Sequence, residues 1–543
     1  MSADSKIGID VRQISWIRPL AGDYAFNFTQ VAPLYAGDPQ SPASWQGAIV
    51  RAQQHPRRRR DIARLVETQL ERRGAAAAAR SAAALLADDR TVAVVTGQQA
   101  GALGGPLYNL FKAISAIQLG RRLTAEHGVP VVPVFWVETE DHDWAEVRAA
   151  TVLDANLEPR VVALPDPPGA GEAPVGSLTL DERVAASLEE LRATLAPTDF
   201  SGWLHDTLRG AYAAGAGMGT AFATLLDAVL GPHGLVVFES SDAAVKPFVA
   251  DLFVRELQFA GRTAALAAQA GAELQSRGHQ PQVIPHPDSI ALFHMQGGRR
   301  VIRRDGGAFV AGDERFTPEQ LAATAVDHPE RFSPNVLLRP VVQDAIFPTV
   351  CYVAGPSELA YLGQLRGVYE HFGVPMPLIL PRATATLIDS ASARFLAKYD
   401  LPVESLRPQD DGALNRLLEA QLPKEVEEAL AHANEEVRRM LERIIAAVPA
   451  VDPTLAGAAR TTLGRMEHDL RALHHKVIQA AKKRNETLRR QFARAQAQIF
   501  PQGHPQERTL AMVFFLNRYG PALVDRLLED LPLEAGRHWL ITM

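Results

Sequence analysis

Short, nearly continuous apolar runs alternate with stretches of helical period over most of the chain, before a sustained three-and-four repeat takes over near the end. Val92-Ala93-Val94-Val95 reads as a strand, and Leu107, Leu110, Ile114, Ile117 and Leu119 form the apolar stripe of a helix running to about Glu126. Gly128 stops that helix, and 131–137 (Val-Val-Pro-Val-Phe-Trp-Val) is the unbroken apolar run expected of a strand covered on both faces. With a right-handed crossover, 92–137 is one β-α-β unit. Further strands are expected at 235–238, 350–353 and 376–380, with one helix from about Asp242 to Ala270 after the first of them.

Two stretches interrupt this alternation. Residues 165–180 are rich in Pro and Gly and 181–230 read as helical, which predicts an insertion. Residues 280–316 alternate short apolar runs with Gly and charge, which predicts a small β-hairpin subdomain. Near the end, Leu430, Ala433, Val437, Met440 and Ile444, then Leu463, Met466, Leu470, Leu473, Val477 and Ala480, step by three and four. A Pro/Gly break at 449–457 separates the two series, so two long helices are expected to fold back as an antiparallel coiled coil. The predicted division is a doubly wound sheet from 1–160, 231–270 and 336–388, a helical insertion at 161–230, a small α/β insertion at 271–335, and a coiled-coil helical domain over 389–543.

Composition narrows the class. A chain of 543 residues needs more than one hydrophobic core, and 47% apolar with 22% charged residues is the balance of a soluble globular protein. Lys+Arg 56 against Asp+Glu 62 gives a net charge of −6, which argues against a nucleic-acid partner. No stretch reads as a signal peptide or a membrane span, so a cytoplasmic protein with no membrane partner is expected. The single cysteine, Cys351, excludes an intrachain disulfide and, lying in an apolar strand, reads as a core residue.

The candidate chemistry lies where strands end. Thr96-Gly97-Gln98-Gln99-Ala100-Gly101 leads through Gly104-Gly105-Pro106 to Leu107-Tyr108-Asn109, a glycine loop opening a helix. Free N–H groups and the helix dipole there would favour an anion or polarised oxygen. The spacing fits neither the dinucleotide fingerprint nor the P-loop. Glu138, Glu140, Asp141, His142 and Asp143 leave the neighbouring strand; crowded carboxylates beside an imidazole suit general acid–base work, while Asp143 alone also reads as a helix N-cap. A third stretch carries Arg339, Gln343 and Asp344, followed by Gly355, Pro356, Glu358 and Tyr361; Arg339 can clamp a carboxylate or form an ion pair with Asp344. Ligands in such sheets bind beyond the carboxyl ends of the strands, so these loops are expected to meet. No metal site is predicted. The basic run Arg57, Arg58, Arg59 and Arg60 reads first as a solvated helix face, and Lys482, Lys483 and Arg484 as the weak candidates for a polyphosphate.

Taken together, these blocks are familiar. Thr96 to Gly101 with Gly105-Pro106-Leu107-Tyr108 and Lys112, then Pro133-Val134-Phe135-Trp136 leading to Glu140-Asp141-His142-Asp143, resemble the bacillithiol biosynthesis cysteine-adding enzyme family, also called the cysteine ligase family. Leu338-Arg339-Pro340 with Gln343-Asp344, Gly355-Pro356, Glu358 and Tyr361 extend the resemblance, as do Lys483-Arg484-Asn485 and Phe500-Pro501-Gln502-Gly503 with Gln506-Glu507-Arg508. The blocks occur in order over nearly the whole chain; the family often has bulkier residues at Ala102-Leu103-Gly104. The resemblance implies an α/β fold with a Rossmann-like parallel-sheet core, two inserted subdomains and a C-terminal antiparallel α-helical coiled coil that makes a homodimer. It further implies addition of cysteine to glucosaminyl-malate, completing the thiol bacillithiol. Because a carboxylate is a poor electrophile, the expected reaction is nucleotide-assisted, with ATP or ADP and an acyl-adenylate or acyl-phosphate. On this reading His142 or Asp141 is general base within a catalytic group that includes Glu140 and Asp143. Gly97, Gln98, Gln99, Gly105, Tyr108, Asn109, Lys112, Trp136, Arg339, Gln343, Asp344, Gly355, Glu358 and Tyr361 bind substrate, with Arg339 anchoring malate. The alternatives are a nucleotide-binding scaffold or sensor that dimerises by its coiled coil, and a metal-dependent hydrolase using the carboxylates.

Overall fold

The computed structural model describes residues 6–296, 298–407, 412–420 and 424–543, with the backbone alone at 481–484. Contacts divide the chain into two compact units, one of residues 6–386 with 504–541, the other of 387–503 with the last two residues. The first is built on a parallel sheet of five strands, Val92–Gln99, Val131–Glu138, Val236–Glu239, Thr349–Ala354 and Leu378–Pro381. In space the order is 378, 349, 92, 131, 236 by first residue, so the chain winds outward one way from Val92–Gln99 and then resumes on its other side. That reversal between Val92–Gln99 and Thr349–Ala354 is a topological switch point, where a crevice opens beyond the strand ends. The α/β fold with a Rossmann-like core is as the sequence predicts.

The first strand is longer than its apolar run suggests. It pairs in register with its neighbour from Val92↔Val131 to Gln99↔Glu138, so Gly97, Gln98 and Gln99 are strand, not loop. Backbone pairing with a neighbour that is apolar up to its last residue, Glu138, carries the polar residues to the carboxyl end of the sheet, and their side chains enter the crevice. Helix Leu107–His127 ends at Gly128 in the left-handed conformation, as predicted, but it is apolar on more than one face. It lies between the sheet and the segment 504–541, where Gln118 Nε2 donates to the carbonyls of Leu528 (3.1 Å) and Leu531 (2.7 Å). That segment, grouped with the coiled coil by the sequence reading, packs on the core.

The connecting segments depart most from expectation. An antiparallel strand pair, Ala149–Leu153 with Pro159–Ala163, precedes the helices Val184–Thr194, Ser201–Ala211 and Met218–Leu230. The single helix expected from Asp242 is three pieces, Ala243–Phe248, Ala250–Gln258 and Arg262–Ser276, because Pro247 interrupts the first and Gly261 turns left-handed at φ 84°. The expected hairpin is a five-stranded antiparallel sheet, in which Ser289–His294, Arg300–Asp305, Ala308–Ala311 and Glu314–Phe316 are closed by Phe332–Pro334 across helix Pro318–Asp327. Phe309, Leu321 and Phe332 fill the core between that helix and sheet.

In the second unit, Lys424–Ala447 and Leu455–Arg484 are the two predicted helices. Arg438 pairs with Glu467 at 3.2 Å and Glu427 with His474 at 3.4 Å, cross-links that rise in one helix as they fall in the other, so the pair is antiparallel. The side chains of Lys482, Lys483 and Arg484 lie outside the described residues. No helix of the described residues is long and apolar enough to cross a membrane.

Candidate functional site

A cleft of about 500 Å³ opens at the switch point, lined by Gly97, Gln98, Gln99, Glu138, Asp141, Phe293, Arg299, Pro334, Asn335, Val336, Arg339, Tyr352, Glu358 and Tyr361. Three sheet-strand ends form its floor, and the small antiparallel sheet supplies a wall through Phe293, Arg299 and Pro334. The loops the sequence singles out do meet here.

The glycine loop itself is not an anion cradle, contrary to the expectation for its N–H groups. The N–H of Gly101 donates to Gln99 O, that of Gly104 to the Tyr212 hydroxyl, that of Gly105 to Ala102 O, and that of Leu107 to Leu510 O. The loop is a packing joint. A Cβ on Gly104 (φ 83°) would lie 2.6 Å from Met512 Sδ, and one on Gly105 would lie 2.5 Å from Asn109 Nδ2. Asn109, fully buried, donates to Gly104 O at 3.0 Å and so braces this joint instead of reaching substrate. Of the whole run, Gly97, Gln98 and Gln99 face the cleft.

Beneath them Lys112 is 2% exposed, in the second turn of helix Leu107–His127. Its ammonium donates to Gly97 O (2.7 Å) and Gln98 Oε1 (3.0 Å) and pairs with Glu358 Oε2 (2.6 Å). Gln98 in turn donates to the Tyr108 hydroxyl at 3.3 Å. Glu358 also accepts from the Gly355 N–H at 2.5 Å and from the hydroxyls of Tyr361 (3.1 Å) and Tyr352 (3.4 Å). Burial opposes its charge, but Lys112 and these donors outweigh it and hold the carboxyl below its usual range. Lys112 and Glu358 therefore fix the floor, with Glu358 reaching the cleft as an anion.

The acidic cluster splits into separate roles. Glu138 lines the cleft and accepts from Trp136 Nε1 (3.2 Å) and from the Glu140 N–H (3.0 Å). Burial first, and the charge of Glu140 second, push its pKa up against the pull of Arg339, whose Nε lies 3.9 Å away. Glu140, assigned to catalysis from the sequence, is buried in an ion pair with Lys246, which also donates to Phe332 O at 3.1 Å. Asp141 accepts from Arg299 Nη1 (3.0 Å), Gln99 Nε2 (2.8 Å) and the His142 N–H (2.8 Å). Burial raises its pKa, but Arg299 and these donors win and keep it lowered, which suits a fixed anion and not a proton acceptor. His142 is half-exposed beside Asp141, at 3.4 Å from Nδ1, and is not part of the cleft wall. Asp143 caps helix Trp144–Val147 by accepting from the Glu146 N–H at 3.0 Å. Among the described residues no three His, Cys, Asp or Glu side chains gather as a metal-binding group.

Arg339, at the start of helix Arg339–Ile346, does not pair with Asp344. It donates to Gln343 Oε1 (3.2 Å) and the Tyr361 hydroxyl (3.4 Å) and faces Glu138. Burial opposes its charge, and Tyr361, Tyr352, Glu138 and Glu358 more than restore it. Gln343 and Asp344 lie beneath, buried. Gln343 Nε2 donates to Asp344 Oδ1 at 2.9 Å and Tyr369 donates to Oδ2 at 2.5 Å, while burial raises the Asp344 pKa. They orient Arg339 from behind. In the basic run, Arg57 and Arg59 turn inward onto backbone carbonyls of Asp344 (2.7 Å) and Thr91 (2.8 Å), so they are struts, while Arg58 and Arg60 stay outward.

Sequence reasoning does not select Arg299, Phe293, Asn335 or Tyr352 for this site. Arg299 and Phe293 sit in a stretch whose pattern says only β-hairpin, and their sequence distance from the glycine strand hides the contact. Asn335 lies just ahead of the stretch that begins at Arg339, two residues after the strand residue Ser333, and could have been picked from that position.

The match to known families is close to complete in length. Residues 8–383 match the family "Bacillithiol biosynthesis BshC, N-terminal Rossmann-like domain" and 385–543 match "Bacillithiol biosynthesis BshC, C-terminal coiled-coil domain". A protein of Salinibacter ruber named "Putative cysteine ligase BshC" is 35% identical over 96% of this chain and 95% of its own length. Proteins of the same name are 34% identical in Symbiobacterium thermophilum, over 94% of this chain and 95% of their own, and 35% identical in Koribacter versatilis, over 80% and 81%. Matches that run through both units at such identity settle the assignment: the chain belongs to the BshC family of bacillithiol biosynthesis, whose curated relatives carry a cysteine ligase name.

Proposed function

We propose that the cleft joins the carboxyl carbon of cysteine to the amine of glucosaminyl-malate, the amide bond that completes bacillithiol. The observation that carries this reading is the cleft's charge pattern. The carboxylates Glu138, Asp141 and Glu358 share one cavity with the guanidiniums Arg299 and Arg339. Substrates that bring both an ammonium and carboxylates complement such a wall, and the names of the relatives point to cysteine as one of them.

The amine arrives as an ammonium, which has no lone pair to attack with. Glu138 takes its proton. The carboxylate is aimed by Trp136 and the Glu140 N–H, and its raised pKa lies closer to that of an amine than an ordinary carboxylate's, which is what efficient proton transfer needs. The freed amine attacks the cysteine carbonyl carbon, the C–N bond forms, and the C–O bond to the activated carboxyl oxygen breaks, that oxygen leaving with the activating group while the second proton of the nitrogen passes to water. Glu358 holds Tyr361 and Tyr352, neutral phenols whose pKa values are raised by burial, as polar contacts along the floor. A bound nucleotide, ATP or ADP, would supply the leaving group for the carboxyl oxygen. The N–H groups of Gly101, Gly104, Gly105 and Leu107 are taken by partners within the protein, and the sequence candidates for holding a nucleotide, Lys482, Lys483 and Arg484, lie outside the described side chains. The protein is proposed to act in the cytoplasm, as a homodimer through the coiled coil.

The test is mass-detected formation of the cysteinyl amide from free cysteine and glucosaminyl-malate, with ATP, with ADP and without nucleotide. Product that requires nucleotide supports the whole reading. Turnover with free cysteine and no nucleotide removes the activation step, and no product under any condition removes the reaction.

A further inference from the structure

Resting on that reading of the reaction, we propose that Arg299, with Asn335, forms the subsite that recognises the carboxylates of the malate arm, so that the inserted sheet and not Arg339 sets selectivity for an acidic amino-sugar conjugate. Arg299 follows the turn after Ser289–His294 and reaches across to the core at Asp141. Its side chain is 10% exposed, yet it lines the cleft. The guanidinium carbon lies 3.9 Å from the centre of the Phe293 ring, so one face of the fork is backed by an aromatic plane and its edge is left as the binding surface.

A guanidinium has five N–H donors. Arg299 uses Nη1 toward Asp141 (3.0 Å) and Nη2 toward Pro334 O (3.4 Å), while Nε is buried with no partner. A buried charged donor without a partner is costly unless a ligand supplies one. Asn335 stands next to it on the cleft wall. Its Oδ1 is consumed by the N–H groups of Leu337 (2.9 Å) and Leu338 (3.3 Å), which fixes the amide, and its Nδ2 makes no hydrogen bond among the described residues. Two donor groups with spare N–H bonds on one wall suit an anionic oxygen pair. Asp141 holds the fork in place through Nη1 and, being itself held by Gln99 and the His142 N–H, need not move when a carboxylate arrives.

Arg339 is placed differently. Its contacts to Gln343 and Tyr361 and its approach to Glu138 set it beside the proton acceptor, where it tunes and orients Glu138. The two arginines thus differ in task.

The experiment compares the full-length protein with Arg299→Gln and Arg299→Lys, using glucosaminyl-malate and methyl glucosaminide as alternative amines. Binding of each amine is measured by calorimetry alongside steady-state turnover. The expected result is that Arg299→Gln weakens glucosaminyl-malate binding ten- to hundredfold, as for loss of a charged hydrogen bond. The preference for glucosaminyl-malate over methyl glucosaminide should fall by at least tenfold. Arg299→Lys, which keeps the charge and loses the fork, should fall between, and it serves as the test if the Gln variant does not fold. Equal losses for both amines, or unchanged malate-conjugate binding, would overturn the subsite. The calorimetry stands without turnover, so a protein that binds the conjugate through Arg299 but forms no amide would sink the proposed reaction and keep the subsite.

Discussion

Glu138 and Glu140 are two residues apart and have opposite fates. Glu140 turns inward to Lys246 and locks the strand end, while Glu138 keeps its carboxylate on the cleft with hydrogen-bond donors and no lysine. Placing a second carboxylate close behind raises the pKa of the first, as burial already does. Glu256 shows the same burial effect away from the cleft. It accepts from Thr263 Oγ1 (2.5 Å) and the Ala291 N–H (2.7 Å), yet burial lifts its pKa from 4.5 to about 7. Because the folded value is the higher one, the folded state retains a proton that the unfolded chain releases, and the stability associated with it is lost as pH rises from about 4.5 through 7. Glu256→Gln should therefore gain on the wild type by about 2 kcal/mol between pH 5 and pH 8 in urea unfolding. A constant difference between the two proteins across that range would show that Glu256 does not hold the proton.

At the scale of elements, the glycine loop couples the first strand, the buried helix and the 504–541 segment. Gly104→Ala puts a Cβ against Met512 at a left-handed backbone position, and should cost about 1–3 kcal/mol of unfolding free energy. A loss below about 0.5 kcal/mol would mean that the joint is slack. The strands at 92, 131 and 350 and the helix from 107 were legible because their apolar runs are long and their ends carry Gly or Pro. The extension of the first strand through Gln99 was not, since polar Gln98 and Gln99 are held in the ladder by pairing with Val137 and Glu138, a tertiary effect absent from local pattern. The break at Gly261 was missed because Arg262–Ser276 resumes the helical period on the far side of the turn. The strand ends picked out from the sequence do line one cleft, but burial decides which of their residues face it. No pattern of types distinguishes Glu138 from Glu140, or shows that Asn109 and Lys112 point into the joint and floor.

For the whole molecule, the coiled coil leaves apolar positions of its repeat in solvent. Met440 is 57% and Leu473 50% exposed, in a repeat that would ordinarily seek cover. If these positions meet a second copy, Met440→Glu with Leu473→Glu should shift the sedimentation of the purified protein from dimer to monomer with its helix content kept. A wild-type protein that sediments as a monomer at micromolar concentration would contradict the homodimer. The core unit, by contrast, brings distant parts of the sequence to one cleft: the first strand, the acidic strand end, the inserted sheet and the Glu358 loop. That assembly explains why the family's blocks are scattered along the chain.

Glu138 is proposed to take the ammonium proton in amide formation. The pH dependence of cysteinyl-amide production, followed by mass spectrometry for the wild type and for folded Glu138→Gln, tests it most directly. The wild-type rate should climb as pH rises through a pKa above the ordinary carboxylate range, and the Gln variant should be slowed by about 10²- to 10⁴-fold with that limb gone. A Gln variant that makes product at the wild-type rate, or that keeps the same limb, would contradict it.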